Sequence, residues 1–137
     1  MNADLAAQRA LDRLAKVGFE GLSDTERVLA TVWLFDAKVA NGGFAAYFSG
    51  PAGDLAFYAP RALTAIGADQ MARIAARANG LFGPAGPPQG RDARRESVRG
   101  FSAAKGPEID VLEALFYECP DDLDELLEAF LVSGPVA

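Results

Sequence analysis

The longest apolar segment of the chain predicts a buried central helix. Its apolar side chains surround almost the whole circumference of a helix, which is typical of an element packed on most sides. They are Val28, Leu29, Val32, Trp33, Leu34, Phe35 and Val39. Just before them, Ser23-Asp24-Thr25-Glu26 is a capping-box pattern, in which Ser23 and Glu26 each accept a hydrogen bond from the other's backbone amide. We therefore expect the helix to begin here.

The stretch after this segment predicts a turn and then a short packed helix. Asn41-Gly42-Gly43 follows the apolar segment, and glycine adopts the left-handed conformation that ends a helix without a Cβ clash. The next three aromatic residues recur at i, i+3 and i+4, on one face of a short helix: Phe44, Tyr47 and Phe48. We interpret Asn41, Gly42, Gly43 and Phe44 as a structural turn that sets the angle between two helices, rather than as a ligand contact.

The rest of the apolar pattern is also helical, and no strand-like alternation is present. Further helices are predicted at residues 3–17, 60–66, 69–78, 91–101, 108–119 and 121–131. Asp69 and Asp121 are candidates to start two of them, and loops are expected at residues 49–53 and 83–90, the latter rich in proline and glycine. The predicted fold class is all-α: one domain over residues 1–137, with about six to eight short helices around a buried central helix.

Composition argues against catalysis. The chain contains no histidine, which removes Ser-His and Cys-His pairs and histidine-containing zinc sites. Carboxylates and lysines remain, and these need burial or special neighbours to work near neutral pH. Asp121-Asp122-Leu123-Asp124 also lacks the alternation and central glycine of a calcium loop. We therefore predict a non-enzymatic protein without a metal site or cofactor.

Charge is distributed unevenly along the chain. The net charge is −6, but the residues up to Lys105 have a balance of +3 and the residues from Gly106 onward a balance of −9. The nine acidic residues of this last part are Glu108, Asp110, Glu113, Glu118, Asp121, Asp122, Asp124, Glu125 and Glu128. We call them the C-terminal acids and predict that they bind a basic partner. The alternative is a merely solvated helix face, since acids are favoured in the first turn of a helix.

A short basic stretch raises the opposite possibility, direct binding of nucleic acid. It contains Arg91, Arg94, Arg95 and Arg99. Asp92 and Glu96 dilute its charge, no aromatic residue interleaves it for base stacking, and the chain as a whole is acidic. We therefore expect no direct contact with nucleic acid, and expect these arginines to pair with the C-terminal acids within one chain or across a dimer.

Localisation is predicted from what the N-terminus and the cysteine content suggest. The first 18 residues carry several charges and no uninterrupted apolar run, so neither a signal peptide nor a membrane span is expected there. Cys119 is the single cysteine, which suits a reducing compartment. A cytoplasmic protein is the resulting expectation.

Several of these motifs together resemble the DNA-mimic-protein family. The resemblance starts at Asn41-Gly42-Gly43-Phe44 with Tyr47-Phe48 and continues through Ala62-Leu63, Ile66-Gly67-Ala68, Leu81-Phe82, Phe116-Tyr117, Asp121-Asp122-Leu123 and Leu126-Leu127. It covers about residues 26–131. It implies an all-α fold and a homodimer. It also implies an acidic surface like that of the family's best-described member, which occupies the DNA-binding face of a transcriptional repressor or a nucleoid protein.

Two functional hypotheses follow. The first is an acidic helical protein that binds the DNA-binding face of a transcriptional regulator or nucleoid-associated protein through the C-terminal acids. Carboxylates on neighbouring helical turns stand about 5–6 Å apart at Cβ, close to the order of the phosphate spacing of about 3.4 Å of axis per strand. The second is an immunity- or antitoxin-like protein that sequesters one cognate effector through a surface with a hydrophobic centre.

Overall fold

Helices account for almost all of the regular structure. The computed structural model describes residues 2–118 and 120–134, without the side chains of residues 102–104. Within these residues the chain is all-α, as predicted, with seven α-helices and three short 3-10 segments around one hydrophobic core. The helices are α1 (Ala3–Val17), α2 (Asp24–Ser49), α3 (Ala59–Ala65), α4 (Asp69–Asn79), α5 (Arg91–Ala104), α6 (Gly106–Tyr117) and α7 (Leu123–Ser133). The 3-10 segments are Phe19–Gly21, Pro51–Tyr58 and Gly80–Phe82.

The central position of α2 agrees with the prediction. It contacts α1, α3, α5, α6, α7 and the segment Pro51–Tyr58. Its start is the predicted capping box: the Ser23 amide donates to Glu26 Oε1 at 2.9 Å, and the Glu26 amide donates to the Ser23 hydroxyl at 3.1 Å. Phe35 and Val39 are fully buried, whereas Trp33 and Leu34 are only half-buried.

A sharp break interrupts α2 at Gly43. This residue has φ 76° and ψ −174°, a combination that is essentially restricted to glycine. The helix resumes at Phe44 and ends at Ser49, so residues 44–49 form a short second half with a different direction. Phe44 packs there in a buried aromatic cluster, with ring-centroid distances of 6.2 Å to Phe35 and 6.5 Å to Phe116.

Helix α6 supplies the hydrogen bonds that the break removes. The Phe44 amide has lost its helical acceptor and donates instead to Glu113 Oε2 at 2.8 Å. On the other side of the break, the Tyr117 hydroxyl is within reach of the Val39 and Ala40 carbonyls, at 3.1 and 3.2 Å. Glu113 and Tyr117 stand one helical turn apart on α6. One side of α6 therefore forms hydrogen bonds with backbone groups on both sides of the break.

The other end of residues 44–49 is held by a buried arginine. Arg94 of α5 is fully buried and donates to the carbonyls of Phe48 (2.8 Å) and Gly50 (3.3 Å) and to the Asp54 carboxylate. It also donates to the carbonyls of Pro88 and Gln89, at 3.0 and 2.7 Å, and so fixes the end of the irregular segment 83–90.

Gly53 makes this arrangement possible. A Cβ there would stand 2.5 Å from the Phe48 carbonyl oxygen and 2.7 Å from Arg94 Nε. Because both atoms belong to one hydrogen bond, a side chain at Gly53 would separate donor from acceptor. The sequence contains no local signal for this need.

Several predicted boundaries are wrong in detail. The expected loop at residues 49–53 instead leads into the 3-10 segment Pro51–Tyr58. Helix α4 has Ala68 at its N-cap, not Asp69, and α7 begins after Asp122, not at Asp121. Cys119, at the predicted end of the helix at residues 108–119, lies outside the described residues. None of the described helices combines the length and the apolar character that a membrane span requires.

We predict that Gly43→Ala lowers the free energy of unfolding by about 2–4 kcal/mol, because it adds backbone strain at a left-handed position and displaces a buried contact. The added Cβ would lie 2.2 Å from Glu113 Oε2, which would have to leave the Phe44 amide. Gly100→Ala is the matched control. Gly100 lies within α5 with no atom near its Cβ position, so alanine should stabilise by about 0.5–1 kcal/mol. Urea denaturation measures both, and equal effects would contradict the interpretation.

We predict that Arg94→Met lowers the free energy of unfolding by at least about 3 kcal/mol, because four carbonyls and part of the Asp54 charge lose a buried donor. Arg95→Met is the control. The Arg95 side chain is 48% exposed and donates to the Ser49 carbonyl at 2.9 Å. Its loss should cost about 1 kcal/mol or less. A similar loss for both variants would show that burial of the guanidinium is not decisive.

Candidate partner-binding surface

The C-terminal acids lie on α6, on α7 and in the turn between these helices, but they do not face in one direction. Helix α6 packs against α2, α4 and α5, whereas α7 packs against α1 and α2. Because the two helices border different parts of the core, the acids divide into groups with different surroundings.

Three of the acids serve the fold itself. Glu113 accepts the Phe44 amide at the break in α2. Asp121 Oδ2 accepts the Met71 amide at 2.8 Å and so caps α4, where Ala68 offers no side-chain acceptor. Asp122 is the N-cap of α7 and accepts the Glu125 amide at 3.2 Å. Each carboxylate sits at a helix N-terminus, where negative charge is favoured.

The other six acids are exposed on the surface, as Asp122 also is: Glu108, Asp110, Glu118, Asp124, Glu125 and Glu128. Among the residues that the structure describes, none of these six side chains forms an ion pair. Glu118 differs from the others, because it borders a shallow groove together with Arg73 and Arg77 of α4. The acidic surface is therefore bounded by positive charge on the α4 side.

A concave acidic site lies where α2 meets the start of α7. Asp36, Asp121, Asp122 and Asp124 line a cavity of about 350 Å³ whose apolar lining includes Phe116. We call this the acidic cleft. Burial raises the pKa of Asp36 above its ordinary value, and the nearby negative charges of Asp124 and of Asp4 in α1 raise it further. Three helices thus bring carboxylates close enough to repel one another.

Asp36 and Asp4 were missed as site residues by sequence reasoning. Both lie in the part of the sequence up to Lys105, whose net charge is positive, and neither belongs to the C-terminal acids. A signal was present for Asp36, because it is an acid within an otherwise apolar helical segment. Nothing local marks Asp4, which is simply an acid in the first turn of α1.

Among the described residues, the arginines of α5 pair with none of the C-terminal acids, so the expectation of pairing within one chain was wrong. All four are occupied by acids from outside that set. The pairs are Arg91 and Arg94 with Asp54, Arg95 with Asp92 (3.6 Å), and Arg99 with Glu96 (2.8 Å). Helix α5 contains two of these acids itself, and the third is brought to it by the segment Pro51–Tyr58. Pairing across a dimer stays a prediction.

The turn residues divide between surface and core. Asn41 and Gly42 are exposed, while Gly43 and Phe44 are buried. The Phe44 amide donates to Glu113, and the Phe44 ring packs in the aromatic cluster with Phe35 and Phe116. Within the described part of the chain, no group of three or more acidic side chains has the geometry of a metal site.

Comparison with known proteins gives one match. A family model described as DMP19-like protein matches residues 20–133. No curated protein sequence and no solved structure matches the chain. The matched region contains α2 to α7 and therefore both the break at Gly43 and all nine C-terminal acids.

We predict that Asp36→Asn raises the free energy of unfolding at pH 7. The pKa of Asp36 is raised in the folded state, so ionisation of this group opposes folding above that pKa. Below the ordinary pKa of an aspartate, the carboxyl is protonated in both states and the advantage of asparagine disappears. The contribution of Asp36 to the free energy of unfolding should accordingly fall as the pH rises from the ordinary pKa of an aspartate to the raised pKa of Asp36.

Urea denaturation of both proteins at pH 7 and at about pH 3, below the ordinary pKa of an aspartate, measures this difference. Asp12→Asn, at an exposed position of α1, is the control. An Asp36→Asn variant that is less stable than the natural protein at pH 7 would contradict the prediction.

Proposed function

Because the chain belongs to the DMP19-like protein family, a family of DNA mimics, we propose that it binds the DNA-binding face of a basic transcriptional regulator or nucleoid-associated protein. The proposed contact surface consists of the exposed C-terminal acids together with Asp36 and Asp4. The partner would meet carboxylates there instead of phosphates.

One observation carries this proposal: the exposed C-terminal acids are not neutralised by the arginines of α5. Those arginines are already paired with Asp54, Asp92 and Glu96. A basic partner can gain charge-assisted hydrogen bonds only from carboxylates that are free to accept them. Internal pairing of the surface would have removed this gain.

The dimensions of the surface support the same proposal. From Glu108 to Glu118 the acids extend over about 15 Å at about 1.5 Å per residue. Asp124 and Glu128 follow one another on one side of α7, about 5–6 Å apart at Cβ. Two exposed carboxylates at this spacing suit side chains that otherwise contact neighbouring phosphates.

A non-enzymatic role is part of the proposal. It is supported by the absence of histidine from the sequence and by the surroundings of Asp36. Further carboxylates and apolar side chains line the acidic cleft, rather than a nucleophile or a cationic group. We further propose that the protein acts as a homodimer, as the resemblance of its motifs implies, and that it works in the cytoplasm, a reducing compartment that its single cysteine suits.

A second candidate function is sequestration of one cognate effector. Val111 and Tyr117 favour it, because these two apolar side chains of α6 are about half exposed, at 50% and 54%. They would give the acidic surface a hydrophobic centre, as tight and specific complexes have. Binding that depends on Val111 and changes little with salt would favour this candidate over DNA mimicry.

We predict that neutralising Asp124 and Glu128 weakens binding to a purified nucleoid-associated protein and to a helix-turn-helix repressor. The double variant Asp124→Asn/Glu128→Gln should lose about tenfold in affinity at low salt, since it removes two charge-assisted contacts. Its log K should also fall less steeply with log salt concentration than that of the natural protein, because fewer charge contacts remain to be screened. Fluorescence anisotropy measures both quantities, with the partner's DNA added as a competitor.

Asp12→Asn/Asp92→Asn is the matched control, because it removes the same amount of charge from exposed positions on α1 and α5. Its affinity should stay within about twofold of the natural protein. Affinity that ignores ionic strength, or a complex that binds DNA as well as the free partner does, would reject the proposal. An equal loss of affinity in both double variants would show that binding depends on net charge alone and not on the position of the acids.

A further inference from the structure

The shallow groove between α4 and α6 has the opposite charge to the acidic cleft. Its volume is about 250 Å³, and the ionisable side chains that line it are Arg73, Arg77 and Glu118. Part of its apolar lining comes from Ile74, which is buried, and from Leu115. We call it the arginine groove. Two positive charges stand there against one negative charge, whereas the ionisable side chains of the acidic cleft are all aspartates.

The two arginines of this groove can contact a partner. They stand one helical turn apart on α4, about 5–6 Å apart at Cβ, and both are exposed. Among the described residues, neither Arg73 nor Arg77 forms an ion pair, although Glu118 borders the same groove. The four arginines of α5 differ, because all of them are paired. Since the like charges of Arg73 and Arg77 repel each other, an anionic group in the groove would relieve this repulsion.

The arginine groove and the acidic cleft meet at the turn before α7. Pro120 lines the groove and Asp121 lines the cleft, so consecutive residues of the chain contribute to the two linings. This turn is held against the first turn of α4, because the Asp121 carboxylate accepts the Met71 amide at 2.8 Å and the Pro120 carbonyl accepts from Gln70 at 3.4 Å. A positive and a negative surface therefore lie side by side.

A protein that covers the acidic cleft is expected to reach the arginine groove as well. A standard interface buries about 800 Å² on each partner, which corresponds to a disc about 16 Å in radius. Because the two linings meet at consecutive residues, an interface centred on the cleft extends toward Arg73 and Arg77. A guanidinium group that is covered without an anionic partner loses its hydration without compensation.

We propose that the arginine groove accepts an acidic side chain of the partner, located beside the basic face that contacts the C-terminal acids. This inference rests on the proposed function. It narrows the partner to DNA-binding proteins whose basic face has an acidic residue at its edge. A DNA duplex carries negative charge along its whole backbone, whereas this surface changes sign at α4. The arginines therefore favour a partner with the complementary pattern and repel one whose basic face extends further.

The surroundings of the groove favour a single acidic side chain over a nucleic-acid backbone. Glu118 lines the groove itself, and Asp121, Asp122 and Asp124 line the neighbouring cleft. Phosphates recur about every 3.4 Å of axis per strand, so a strand that contacted Arg73 would bring its next phosphates toward these carboxylates. One carboxylate on a mostly basic protein does not meet this repulsion.

Binding of two synthetic peptides to the intact protein tests the proposal. Each peptide contains six lysines, which provide a basic segment, and a flexible Gly-Gly spacer. One peptide ends in two glutamates and the other in two glutamines. Fluorescence anisotropy at low salt should show that the glutamate peptide binds about fivefold more tightly, because its carboxylates accept hydrogen bonds from the arginine groove. Net charge alone predicts the opposite order, since the glutamate peptide is the less positive of the two.

Two double variants locate the contact. Arg73→Gln/Arg77→Gln should reverse the order of the peptides, so that the glutamine peptide binds more tightly. Lys16→Gln/Arg61→Gln is the matched control, because it removes the same charge from exposed positions on α1 and α3 that line neither cavity. The control should keep the preference for the glutamate peptide, with a change of less than about twofold. Far-ultraviolet circular dichroism confirms that each variant is folded, as expected for exposed side chains.

The outcomes separate this proposal from the proposed function. If neither peptide binds saturably, the acidic surface does not attract basic chains, and both proposals fail. If both peptides bind but the natural protein prefers the glutamine peptide, the acidic surface stands and the arginine groove takes no acidic side chain. An equal change of preference in the two double variants would also overturn the inference. Binding of a DNA duplex that is lost in Arg73→Gln/Arg77→Gln would show that the groove accepts phosphates instead.

Discussion

The short second half of α2, residues 44–49, must have both of its ends satisfied inside the protein, and much of the fold meets that need. The break at Gly43 removes a helical partner from the Phe44 amide, and Glu113 replaces it at 2.8 Å. At the other end Arg94 Nε donates to the Phe48 carbonyl at 2.8 Å. A carboxylate thus stands at the N-terminus of these residues and a guanidinium at their C-terminus, which is the arrangement that the helix dipole favours. Because buried backbone groups are costly when unpaired, α5 and α6 are fixed against α2 at these points.

The same contacts decide which charges remain available on the surface. Docking of α6 through Glu113 uses one of the C-terminal acids, and capping of α4 by Asp121 uses another. The other acids of α6 and α7 are left exposed at the surface. The arginines of α5 pair with Asp54 and with two acids of α5 itself, Asp92 and Glu96. Their charges are therefore balanced within the part of the sequence up to Lys105. The uneven charge of the sequence therefore persists as an uneven charge of the folded molecule.

The structure divides the acids that the sequence grouped into one candidate site. Counting charges along the sequence identified the C-terminal acids, because no lysine or arginine lies among them. It could not separate Glu113 and Asp121, which serve the fold, from Asp124 and Glu128, which are exposed. It also missed Asp36, whose carboxylate reaches the acidic cleft from α2. Exposure and neighbours are properties of the packed helices, so a count along the chain does not contain them.

The sequence by itself determined the helical class, the start of α2 at its capping box and the position of the break in it. These features depend on a few consecutive residues: a hydrogen bond to a side chain three positions away, a period of 3.6 residues, and the backbone freedom of glycine. Tertiary structure alone decided that Glu113 meets Phe44 across 69 positions and that Arg94 meets Phe48 across 46. No periodicity specifies such pairs, since each forms only after packing has brought a buried donor within reach of the acceptor that it requires.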